Sequence, residues 1–141
     1  MSEKNTSEDL VQASFYGNLE LVRSLVEAGV DIDETGRNWN PLHAAIEAME
    51  VEVVRYLLAS GADREHVCFG MRPIHHAIDI EIDSAAQAND PEYPEPTLIE
   101  ILLDAGANIN GEDGEGIMPL QMAKLRGHKK AEKLLQSRGA A

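Results

Sequence analysis

A chain of 141 residues has room for one ordinary domain, and a hydrophobic fraction of 43% supplies a core that a disordered chain would lack. Aromatics make up only 4%, so packing must rest on Leu, Ile, Val and Ala, short side chains that suit closely stacked helices. The formal net charge of −13 argues against general nucleic-acid binding and against anionic membranes, and no apolar run reaches the roughly 18–20 residues that span a bilayer.

Read from its start, the chain opens on a polar tail, residues 1–7, without the apolar centre of a secretory signal, so a cytoplasmic location is expected. Glu8-Asp9-Leu10-Val11 begins a helix near 8–16, and a second near 19–28 carries Leu25-Val26 and stops at Gly29. A turn-forming finger, Asp31–Trp39, follows. Asn40-Pro41-Leu42-His43 opens the next pair, near 41–48 and 51–60, which ends on Leu57-Leu58 and Gly61. Proline is tolerated at the first helical turn because its missing N–H would be unpaired there anyway. The second finger, Asp63–Met71, holds Cys68, whose solitude excludes an internal disulfide.

Arg72-Pro73-Ile74-His75 opens a helix near 73–86, and Ser84-Ala85-Ala86-Gln87-Ala88 can prolong it. Asn89 to Pro96 cannot be helical, with Pro91, Pro94 and Pro96 in close succession. A helix near 97–105 carries Leu102-Leu103 and ends at Gly106; the finger Asn108–Ile117 comes next. Met118-Pro119-Leu120-Gln121 opens the last pair, near 119–126 and 129–138. Pro41 lies 32 residues before Pro73, whereas Pro73 lies 46 before Pro119, so residues 82–95 read as an insertion within a repeating unit. Such extra length suits either a function of its own or plain tolerance.

Four units in register, with Asn40-Pro41-Leu42-His43-Ala44-Ala45 and Pro73-Ile74-His75-His76-Ala77 at their centre, resemble the ankyrin-repeat family. The resemblance implies an all-α solenoid of four helix-turn-helix units with β-hairpin-like fingers, forming a single domain over 8–141. Its repeats would be 8–39, 40–71, 72–117 and 118–141, the outer two acting as solubilising caps. Single helix pairs cannot bury their apolar faces alone, so stacking is obligatory. Two departures stand out: Met49 and Glu81 occupy the helix-turn position where the family favours glycine, as at Gly17 and Gly127. The resemblance also gives His43 and His75 a bracing role between backbone segments and fits His128 to the inter-helix turn.

Catalytic and ligand motifs do not assemble. Asp31-Ile32-Asp33-Glu34-Thr35-Gly36 starts like a calcium loop, yet Leu42 stands where the bidentate glutamate is required. Gly111, Gly114 and Gly116 alternate with Glu112, Asp113 and Glu115, which would repel a phosphate. His76 with Asp79 is too small a set for a metal, and His66 beside Glu65 reads as finger polarity. No catalytic residue, metal or cofactor is expected, and the chain is not expected to be an enzyme.

The resemblance implies instead a partner-binding face of finger tips and first helices. Carried over by position, it selects Phe15 and Tyr16; Glu34, Arg37 and Trp39; Glu47 and Ala48; Glu65, His66, Phe69 and Met71; Asp79 and Ile80; and Glu112, Asp113, Glu115 and Ile117. Asp90, Glu92 and Tyr93 of the insertion join them. Trp39 and Phe69 serve either as anchors for a partner or as covers for the finger bases. Residues 1–117 hold 24 acids against 6 bases, whereas Lys124, Arg126, Lys129, Lys130, Lys133 and Arg138 oppose Glu132 alone in the last stretch. The expected partner is therefore a protein with a basic surface, not nucleic acid or membrane, met by a chain that is monomeric on its own. Two roles fit: an immunity or antitoxin protein that neutralises a toxin, or a regulatory or scaffolding subunit of an enzyme complex.

Overall fold

A computed structural model describes residues 7–87 and 95–141, and among these the chain forms eight helices and no strand. They are α1 (Ser7–Phe15), α2 (Leu19–Glu27), α3 (Pro41–Glu47), α4 (Val51–Ala59), α5 (Pro73–Gln87), α6 (Thr97–Asp104), α7 (Pro119–Arg126) and α8 (Lys129–Ser137). Each falls within about one residue of its predicted span, the scatter expected of fraying helix ends. Two compact units divide the chain, Met1–Asp63 with α1 to α4 and Arg64–Ala141 with α5 to α8.

In the first unit α1 pairs with α2 and α3 with α4, while α1 packs on α3 and α2 on α4. Leu10, Val22, Leu25, Leu42, Ile46, Val54 and Leu57 are buried in full or nearly so. Ala13, Ala44 and Ala45 are buried with them, and such small side chains let the helices approach closely. Asn40 caps α3 by accepting the His43 N–H at 2.9 Å, and Pro41 fills the first helical position. The α1–α2 turn passes through Gly17 at φ +73°; the α3–α4 turn makes the same left-handed step at Met49, φ +56°. The departure at 49 thus leaves the turn geometry intact and places an L side chain where it is strained.

In the second unit α5 packs on both α6 and α7, and α7 pairs with α8. Ile74, Ile78, Leu98, Ile99, Leu102, Ala123 and Leu135 form its core. The departure at 81 has a different outcome. No turn occurs there; α5 runs on to Gln87, so the first half of the insertion is helical, as its composition predicts. Ala88 and the proline-rich residues up to Pro94 lie outside the described residues.

Continuing the helix places Glu81 inside, with only 1% of its surface exposed. Its Oε2 accepts the Leu98 N–H at 2.8 Å, at the start of α6. The residue preceding α6, Pro96, offers no side-chain acceptor, so Glu81 supplies the cap from another helix. Burial pushes its carboxyl up to about 7, against the downward pull of the Leu98, Ile99 and Thr97 amides. A second oxygen, Oε1, is buried without a hydrogen-bond partner among the described residues.

The fingers are turns rather than strands. Gly36 N–H donates to Trp39 O at 2.9 Å, Cys68 and Met71 exchange both backbone bonds, and Asp113 N–H donates to Ile117 O at 3.0 Å. Asp31 and Asn108 each accept the N–H two residues on, both at 3.0 Å, which accounts for the acids and amides that mimic a calcium loop.

Candidate partner-binding surfaces

The surfaces of the two units are built from different side chains. At the end of α1 in the first unit, Phe15 is 37% and Tyr16 76% exposed. Their rings meet edge to face at 5.3 Å. Trp39, at the base of the first finger, is half-buried and stacks on His43 with centroids 5.9 Å apart and planes 10° from parallel. One face of the indole is therefore covered, and its remaining surface lines a cleft of about 250 Å³ with Val11, Gln12, Phe15, Tyr16 and Ala44. A neighbouring cleft of about 270 Å³ shares Gln12 and Tyr16 and adds Asp9, Ala13, Asn18, Leu21 and Leu25. Glu34 and Arg37 are exposed on the finger, and Glu47 and Ala48 are half-buried at the end of α3. Glu8 accepts the Arg37 N–H at 3.1 Å and ties the finger to α1.

In the second unit the most prominent side chain is Phe69, 67% exposed at the tip of its finger and held at φ +51°. Val67, 52% exposed, is close to it in sequence, and Met71 is half-buried. Several of the expected acids work within the unit. Glu65 accepts from the Arg72 guanidinium at 2.9 Å and from the Asn108 N–H at 2.7 Å, joining the second finger to the third. Arg72 also donates to Glu112 O at 2.7 Å, and Gly114 N–H to Gly70 O at 2.8 Å. Asp79, half-buried, is bonded by Arg126, which also reaches Asp83 at 3.0 Å.

Asp113 accepts the Glu115 and Ile117 N–H groups at 2.8 and 3.0 Å. Desolvation raises its carboxyl, but those amides and the nearby His75 outweigh it and hold the group below the ordinary carboxylate value. Nε2 of His75 lies 2.7 Å from Ile117 O, the bracing contact expected of it, and burial keeps this imidazole below its ordinary value. Glu112 and Glu115 remain exposed on the third finger, with His66, Ile80 and Ile117 half-buried. Asp90, Glu92 and Tyr93 lie outside the described residues.

Two features escaped the sequence reading. Gln12 and Val11 line a cleft, although the only hint was that Gln12 precedes Phe15 and Tyr16 by about one turn. Val67, on the second finger, and Leu125, in α7, are exposed at 52% and 74%, and no sequence signal set either apart. Among the described residues no group of three His, Cys, Asp or Glu side chains could hold a metal ion, and no helix is long and apolar enough to cross a membrane.

A family model described as "Ankyrin repeats (3 copies)" matches residues 10–88. A search of curated proteins finds no match.

Proposed function

Since this chain belongs to the ankyrin-repeat family, whose members generally serve as protein–protein interaction modules, we propose that it binds a partner protein with a basic surface. It does so as a monomer in the cytoplasm and without catalysis of its own, using the finger tips and first helices of its units. Phe69 carries this reading. A large aromatic left 67% exposed in a left-handed backbone conformation is unfavourable for the free chain on two counts, solvation and strain. A partner that buries the ring turns the first cost into binding energy. Carboxylates flank these aromatics in sequence, Glu34 before Trp39 and Glu65 before Phe69, and with a net charge of −13 electrostatic complementarity selects a basic partner over an acidic one.

The narrower reading, neutralisation of a basic toxin that acts on nucleic acid, draws on the same charge. Its support would be a toxin recovered with the chain and inhibited by it.

Affinity capture from the source cells, followed by titration of the recovered protein against variants, tests the proposal. Phe69→Ala and Trp39→Ala should each weaken the complex by about 2 kcal/mol, the typical effect of removing a buried aromatic anchor. Unchanged affinity in both variants would mean that these surfaces are not the ones used.

A further inference from the structure

From the cleft between Tyr16 and Trp39 we infer a subsite for one arginine side chain of the partner, an assignment that rests on the binding role proposed above. Its walls are the rings of Phe15, Tyr16 and Trp39; Val11 and Ala44 add apolar surface, and Gln12 adds an amide. A cavity of about 250 Å³ lined this way accepts a long aliphatic stem. Its lining residues carry no charge, and the carboxylates of α1 and α3 stand beside them along the helices, with Glu8 also accepting the Arg37 N–H. Glu8 and Asp9 precede Gln12 by four and three residues on α1, and Glu47 follows Ala44 by three on α3, which places each on the same helix face as a lining residue.

Charge decides what the stem carries. Residues 1–63 hold 12 acids and 4 bases, and Arg37 on the finger is outnumbered there by Asp31, Asp33 and Glu34. An acidic side chain would be repelled, and a purely apolar one would leave this field unused. Between the two cations, lysine is a compact and strongly hydrated point charge, whereas a guanidinium is planar, weakly hydrated and stacks on aromatic faces. The same unit already makes such a contact internally, with the Arg23 guanidinium carbon 5.1 Å from the centroid of the Tyr56 ring.

Trp39 is the chain's single tryptophan, so its emission reports directly on the cleft. The test titrates the full chain with three blocked tripeptides, Gly-Arg-Gly, Gly-Lys-Gly and Gly-norleucine-Gly, at constant ionic strength. The arginine peptide should give a saturable change in Trp39 emission with affinity about three- to thirtyfold above norleucine, the span of a cation–π contact from exposed to desolvated. Tyr16→Ala and Gln12→Lys, both at exposed positions, should weaken it by about threefold or more while the thermal unfolding midpoint holds. Equal affinity for arginine and norleucine, or for arginine and lysine, overturns the assignment, as does the absence of saturation. If the arginine peptide fails while Phe69→Ala still disrupts the captured complex, the binding role stands and this subsite alone falls.

Discussion

Met49 and Phe69 hold L side chains at φ +56° and +51°, a region that costs a non-glycine residue about 1–2 kcal/mol. The two positions differ in what the strained residue does. Met49 sits half-buried in the turn between α3 and α4, where Gly17 makes the equivalent step in the preceding pair. Met49→Gly should therefore stabilise the chain by about 0.5–1 kcal/mol, because relief of strain exceeds the entropy a glycine gains in the unfolded chain. A rise in the thermal midpoint with partner affinity unchanged checks this. Phe69→Gly should raise the midpoint in the same way, yet weaken partner binding, a trade-off that separates a strained residue kept for function from one that is merely tolerated. The sequence reading marked Met49 as a departure from the glycine of the family and left its geometry open. It had no means of seeing the strain at Phe69, because backbone φ in a finger depends on the Cys68–Met71 pairing that the turn imposes.

At the scale of elements, α6 begins without a local cap and depends on Glu81 of α5. The folded chain holds this carboxyl near 7, above its ordinary 4.5. Between those values the folded state keeps a proton that the unfolded state has released, so stability is greatest below about 4.5 on this account and declines as pH rises to about 7. The linked loss reaches about 3–4 kcal/mol at most, order-of-magnitude, from about 1.4 kcal/mol per pH unit. His75 and His128, which desolvation holds below the ordinary imidazole value, act in the opposite direction and favour the unfolded chain on acidification. Glu81→Gln keeps an oxygen for the Leu98 amide and removes the titration. Urea unfolding should find it close to the parent at pH 5 and more stable than the parent by about 1–3 kcal/mol at pH 8. Glu81→Ala should instead lose about 1 kcal/mol or more at pH 5, where the cap is absent and no charge compensates. Helix positions were legible from the recurrence of Pro, Ala and Gly, since each signal is local. This cap was not legible. It joins residues 17 apart in sequence and exists only because α5 continues through the expected turn.

At the scale of the whole chain, the sum of charge was legible and its allocation was not. Of the acids expected to meet a partner, Glu65, Asp79 and Asp113 are bonded to Arg72, Arg126 and the third finger's own amides. A sequence shows that carboxylates are abundant, but which of them find internal donors depends on finger-to-finger geometry. The net charge of −13 nevertheless acts at a distance, where individual pairings matter little. A basic partner approaching this chain is drawn in before any contact forms, so salt should act mainly on the encounter. Raising ionic strength from about 0.01 to 0.15 M shortens the screening length from roughly 30 to 8 Å, less than the reach of such a field. The association rate constant should fall by about tenfold or more over that range, while dissociation, governed by buried anchors such as Phe69, changes little. Stopped-flow mixing with the captured partner measures both constants. An association rate indifferent to salt would point to a partner without a basic surface. A dissociation rate that climbs with salt as steeply as association falls would mean that the carboxylates, rather than the aromatic rings, hold the complex together.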